Sequence, residues 1–482
     1  MLGLLGSLVV CLAGQLPSTL ASGDATQGVT GGESIRQEPA ARVTAKARAI
    51  AALVRPDPDW DEGLFHPELF RELSPARVRA IFIDAHASAG RATDVVLLTS
   101  SAPDEGRFEV QLERGRTSQL SLRLEAEAPY RVTAFFLQPP VPVVGDFEAL
   151  DERLSALPGT TSVRIAELTE DGPRTLYARQ PEQRLGVASA FKLYVLGALI
   201  EDVGRNRRRL SEVQPLSAQR RSLSAGIAHS WPAGSPLTLH TLATLMIAHS
   251  DNTATDHLIG ALGRRRVEEI FETMGHGDPA RNEPLLMTRE LFLLRGARGG
   301  ALAEPYTALA PDERRSYLAD ALAGLTLRDV DPARVSSPQL SDRVEWFASA
   351  GDLCRALDWL RRATEAPATA HGRALLALNH GPAGAGSIGT RSTGTIPSGA
   401  AAPGLDFLGY KGGLTGGVES HAWLARTRDD RWIAVAAIWN DTRTARADDF
   451  AGLAACALQL GLTPPHDEND DEHDNSDTTP GG

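Results

Sequence analysis

Three short stretches hold the residue types and spacings that can do chemistry: Ser189-Ala190-Phe191-Lys192, Ser250-Asp251-Asn252 and Lys411-Gly412-Gly413. The chain has 49 basic residues, yet only Lys46, Lys192 and Lys411 are lysines, so two of three fall in these stretches. Arginine stays protonated in a protein, whereas a desolvated lysine can lose its proton and act as a base. Lys192 follows Ser189 by three residues, a spacing that puts both on one helical face. The apolar run "KLYVLGALIEDV" predicts a helix beginning there. Unpaired donors and the dipole at a helix start favour negative charge, which suits a serine nucleophile and the oxyanion it creates. A serine cap followed by an exposed lysine would read the same way.

The second stretch lies between two apolar helical runs, "LTLHTLATLMIAH" and "TATDHLIGALG". A junction of that kind uses Asp251 or Asn252 as a cap. It can equally present a Ser250 hydroxyl for proton relay and an Asn252 amide for gripping a substrate. The third sits in "LGYKGGLTGGVESHAWLARTRDDRWIAVAAIWND", where alternation predicts two or three antiparallel strands turning at Gly416-Gly417 and Asp429-Asp430. Glycines inside a strand weaken it and mark close approach, here assigned to a ligand whose carboxylate Lys411 would attract.

The elements that position these stretches form a second unit at about 147–463: a helix and strand pair, a mostly helical middle, then strands and a closing helix. Strands at both ends imply a sheet assembled from distant parts of the chain. A Gly/Ser/Thr-rich loop is expected at 381–404. Ahead of this unit, 43–142 reads as a small α+β domain, with a helix over "PELFRELSPARVRAIFIDAHASAG" followed by strand-like runs. Residues 22–42 read as a flexible linker and 464–482 as an acidic disordered tail. Residues 1–21 are apolar with a small-residue end, the pattern of a secretory signal peptide, so a secreted or periplasmic location is expected.

The length of 482 residues suits two or three domains, and 42% hydrophobic content suits a real core. A net charge of −12 argues against nucleic acid as a partner. No further apolar run is long enough to span a bilayer. No cysteine or histidine spacing suggests zinc, so neither metal nor cofactor is expected. Cys354 and Cys456 leave a disulfide open.

SxxK, SDN and a Lys-Gly motif in that order resemble the signature of penicillin-recognising serine enzymes, the class A β-lactamases and penicillin-binding proteins. The resemblance covers the second unit, including "GSPLTLHTLATLMIAHSDNTATDHLIGALG" around the second motif. It implies an α/β (α+β) domain of antiparallel sheet plus helices, monomeric and acting on a small molecule. Ser189 would be the acylated nucleophile, Lys192 its base and Ser250 the proton donor to the leaving nitrogen. Asn252 and Lys411 would hold the substrate amide and carboxylate. The oxyanion would rest on the Ser189 and Leu414 amides, the latter just after Gly413. Gly412 stands where the family carries Thr or Ser, which weakens the expected grip on ordinary penicillins.

For deacylation, Glu283 in "NEPLLMTRELFLL" resembles the family's loop glutamate, with Met287 where an asparagine would share the water. Glu290 is expected to be an ion-pair partner. The first unit resembles the small cystatin- or steroid-isomerase-like (NTF2-like) domains that precede β-lactamase-like domains in clavam gene clusters. The expectation is an exported serine hydrolase acting through an acyl-enzyme on β-lactams or related amides and esters. The alternatives are an esterase of the cephalosporin 3′-acetyl type, a D-Ala peptidase, or a non-turnover β-lactam sensor.

Overall fold

The computed structural model describes residues 32–138, 140–379, 381, 405–444 and 449–464. The signal peptide expected at 1–21 lies outside the described residues, as do nearly all of the 381–404 loop and the acidic tail. Backbone contacts divide the chain into two units, Met1–Val143 and Val144–Gly482.

The first unit opens with α1 (Gly32–Ala51), so residues 32–42, expected as linker, are helical. Ala- and Arg-rich composition favours a helix there. The helix is pinned by Val43, Ala47, Ile50 and Ala51, spaced to share one buried face. The single helix expected over 67–90 is two, α2 (Leu69–Glu72) and α3 (Pro75–Ala89). Pro75 has no N–H and restricts the residue before it, so it starts a helix and ends its predecessor. Four strands follow, β1 (Ala92–Ala102), β2 (Glu105–Leu112), β3 (Arg116–Leu124) and β4 (Val132–Leu137), as an antiparallel meander. A short β5 (Val141–Pro142), absent from the sequence reading, pairs with β3. Phe82 and Phe108 are completely buried in a core that stays within this unit.

The second unit begins with α4 (Phe147–Ser155), β6 (Thr160–Thr169), β7 (Gly172–Arg179) and the two-residue β8 (Leu185–Gly186). The helical middle runs α5 (Lys192–Gly204), α6 (Leu239–Ala248), α7 (Asn252–Leu262), α8 (Arg264–Thr273) and α9 (Thr288–Gly296). Strands β9 (Val213–Pro215) and β10 (Pro236–Thr238) form a small ribbon ahead of α6. Three short helices, α10 (Ala303–Ala308), α11 (Pro311–Ala321) and α12 (Pro332–Val335), lead to β11 (Phe347–Ala348), which pairs with β8. The unit ends with α13 (Ala350–Ala363), α14 (His371–Leu376), β12 (Leu405–Thr415), β13 (Val418–Thr427), β14 (Trp432–Asn440) and α15 (Phe450–Leu462).

Its antiparallel sheet has the order β12-β13-β14-β6-β7, so strands from both ends of the unit are neighbours, as the sequence implied. Both faces are covered. Ala434, Ala436 and Ile438 point into the core with α5, α6 and α13, while Ile433, Val435, Ala437 and Trp439 point into the one with α4 and α15. That explains why "WIAVAAIWN" is apolar throughout rather than alternating. Cys354 and Cys456 are buried, and no disulfide joins them.

Candidate active site

Ser189 lies in a 3-10 turn (Ala188–Phe191) that runs directly into α5, and its side chain is only part-buried. The turn is entered through Ala188 at φ +43°, a left-handed conformation that a residue with a side chain rarely adopts. Phe191 fixes it from within. Its ring stacks on Trp346 with centroids 3.9 Å apart and planes 9° from parallel. Such pairs contribute about 0.5–1.5 kcal/mol beyond area burial. One residue later, the Lys192 side chain is fully buried.

The Lys192 amine is enclosed by acceptors. Its Nζ lies 3.1 Å from Ser189 Oγ, 3.2 Å from Ser250 Oγ, 2.5 Å from the Ser250 carbonyl and 2.8 Å from Asn252 Oδ1. Burial holds it well below its ordinary lysine range; the Lys411 charge pushes the same way, against the weaker pull of Asp256 and Asp251. Ser250 bridges the two lysines, since Lys411 Nζ donates to its Oγ at 3.1 Å. Lys411 also donates to the Gly412 carbonyl, and burial pushes its amine down to about 7. The structure therefore brings Ser189, Lys192, Ser250, Asn252 and Lys411 into one hydrogen-bonded group.

The local fold explains the convergence. Ser250 sits at φ +54° between α6 and α7. Strain of this kind persists only where the surroundings enforce it. Here Asp251 caps α7 by accepting from the Ala254 amide at 2.9 Å. It also ties that cap to Ile227 and Ala228, whose amides donate at 2.7 and 2.8 Å. Asn252 presents Oδ1 to Lys192 and donates through Nδ2 to the Leu223 carbonyl at 3.3 Å.

On the opposite side, β12 passes close against the nucleophile turn. A Cβ on Gly413 would collide with the Ser189 amide nitrogen and the Val187 carbonyl, so the close approach read there is made by the chain's own backbone. Leu414 follows with its side chain 57% exposed. A Cβ on Gly412 would meet the Tyr410 hydroxyl. That hydroxyl pairs with His421 Nδ1 at 2.9 Å, and His421 with Glu419 at 3.1 Å, a buried network underlying the third motif.

Glu283 is not drawn into this group. Its carboxylate makes no side-chain hydrogen bond among the described residues, and its charge acts on Arg315. Glu290 pairs with Arg264 and accepts from the Met287 amide at 2.8 Å, a structural role. No sequence motif singles out Asp256. It is fully buried, and accepts from the Thr288 and Arg289 amides at 2.7 and 2.9 Å at the start of α9. Burial pushes its carboxyl up to about 7. Its position one helical turn after Asn252 was the available signal.

Residues 147–338 match the model of the beta-lactamase enzyme family (Beta-lactamase2). No curated protein compared with the chain matches it. Among solved structures it is similar to a β-lactamase from Sphaerobacter thermophilus DSM 20745, at 19% identity and TM-score 0.45, covering 66% of this chain and 98% of that one. A β-lactamase from Desulfarculus baarsii DSM 2075 gives 19%, 0.45, 66% and 99%. PBP-A gives 15%, 0.43, 67% and 97%. No described helix is long and apolar enough to cross a membrane.

Proposed function

We propose that the chain is an active-site serine hydrolase that acylates Ser189 with a β-lactam or a related amide or ester. The observation that carries this reading is the buried Lys192 amine 3.1 Å from Ser189 Oγ. Held neutral, it donates to the Ser250 carbonyl and Asn252, its shortest contacts, and turns its lone pair to the Ser189 hydroxyl. Ser189 Oγ then attacks the substrate carbonyl as its proton passes to Lys192. Ser250, bridging both lysines, hands a proton to the departing nitrogen or oxygen. Lys411 attracts the substrate carboxylate, Asn252 grips the amide, and the Ser189 and Leu414 amides receive the oxyanion. The apolar leader at 1–21 supports export.

A time-resolved intact-mass assay with a chromogenic cephalosporin bearing a 3′-acetoxy group tests this. An adduct that forms on the native chain and is missing from Ser189→Ala supports it, and acetate release against ring opening separates ester from lactam chemistry. Absence of adduct and turnover across penicillins, cephalosporins, acetyl esters and D-Ala peptides would overturn it.

A second reading is a β-lactam-binding protein whose acyl-enzyme persists; it is favoured by the Glu283 carboxylate making no hydrogen bond to the Ser189 group and bearing instead on Arg315. A long-lived adduct unchanged by Glu283→Gln supports that reading; fast release slowed by the same substitution rejects it.

A further inference from the structure

A cavity of about 470 Å³ lies in the second unit, and Ser189, Lys192, Ser250 and Lys411 are not among its lining residues. It forms where the starts of β6 and the ends of β14 meet the β8 strap, within the size of small-molecule sites (about 300–1,000 Å³). Its wall contains polar atoms without a hydrogen-bond partner among the described residues: Arg184 Nε, Ser341 Oγ and Asp441 Oδ2. Ser341 is completely buried and Asp441 is 6% exposed. Buried polar groups are ordinarily satisfied, so three beside one cavity indicate a missing partner.

The charges narrow its chemistry. The carboxylate facing Arg184 Nε, that of Asp352, is 3.6 Å away, outside hydrogen-bond reach. Arg281 makes no salt bridge within 4 Å among the described residues; its guanidinium lies 4.1 Å over the Phe347 ring, and the charges of Asp278, Arg184 and Asp342 bear on it from further away. Two arginines facing one space, neither closely paired, favour an anionic group between them. A bare inorganic anion would also face the carboxylates of Asp342 and Asp441, the latter only 3.8 Å from Arg443. The Asp441 carboxylate is held by the Arg443 amide on Oδ1 and lies beside Thr444, but its Oδ2, which can only accept, has no donor at hydrogen-bond geometry among the described residues.

We propose that this cavity is a second binding site, separate from the Ser189 group, for a small carboxylate that also carries a hydroxyl or amino group. The carboxylate takes Arg184 Nε and Arg281, and the donor meets Asp441 Oδ2, with the Ser341 hydroxyl turning to suit either. This does not rest on acylation at Ser189.

Calorimetric titration of the full chain with L-malate, L-glutamate and succinate tests it. Malate or glutamate binds, and succinate, with the same carboxylates but no donor, binds at least about tenfold more weakly because a buried acceptor stays unpaired. Arg281→Ala and Ser341→Ala each weaken the bound ligand about tenfold or more. Ser341→Ala should melt no earlier than the native chain, because its hydroxyl has no partner to lose. Ser189→Ala leaves binding intact. The proposal fails if none of the three binds at about 10 mM, if succinate binds as well as the others, if Arg281→Ala binds normally, or if Ser189→Ala abolishes binding.

Discussion

At the scale of single residues, the site depends on a lysine kept in a place where a charge is costly. Lys192 has four oxygens within hydrogen-bond distance of its amine and still has its pKa lowered, because burial and Lys411 act together. Lys192→Arg keeps the cation and removes the base. Acylation should slow by about 10²–10⁴-fold, the usual worth of general-base catalysis, when adduct formation is timed by mass spectrometry. Lys411→Met gives an effect of opposite character. A like charge nearby lowers the Lys192 pKa, so its removal raises it, and less neutral amine is present at a given pH. The acidic limb of the acylation rate should therefore move to higher pH, measured with an ester carrying no carboxylate so that binding by Lys411 is not what changes. A limb that stays put, or moves down, contradicts the coupling.

Elements hold these residues in place, and here the sequence was partly legible. Helix and strand periodicities located α5, α6, α7 and β12–β14, and the Ser–Lys spacing put Ser189 and Lys192 on one turn. Contacts that join distant segments left weaker traces. Gly413 looked like room for a ligand, whereas the space is taken by the backbone of Val187 to Ser189, 224 residues away (413 − 189). Gly413→Ala should cost about 1–3 kcal/mol, as overpacking does, seen as a lower denaturation midpoint together with slower acylation. Asp256 spans α7 to the start of α9, a partnership no local pattern announces. Its folded pKa, about 7, lies above the ordinary aspartate value of 3.8, so the folded state holds its proton more tightly than the unfolded one. The stability it confers is full below about 3.8 and declines as pH rises through about 7. Asp256→Asn should remove that decline, so native and variant differ most in pH dependence between those values when unfolded by urea.

The whole molecule divides into two units, each with its own apolar core, and every side chain of the Ser189 group comes from the second. Its sheet needs β6 and β7 from the start of that unit and β12 to β14 from its end, so the nucleophile turn is correctly placed only once the whole unit has closed. The first unit supplies no strand to that sheet. A chain starting at Val144 should therefore fold and acylate Ser189 at a rate within about twofold of the full chain, as expected of a domain with its own core. A chain lacking β14 and α15 should instead lose acylation together with cooperative unfolding, because β6 would lose its pairing partner along Thr160–Glu167 and the apolar faces around Trp439 would be exposed. Intact-mass labelling paired with calorimetry distinguishes these outcomes. If the Val144 chain melts normally but fails to acylate, the first unit acts on the reaction itself; if it fails to melt cooperatively, the first unit is needed for folding.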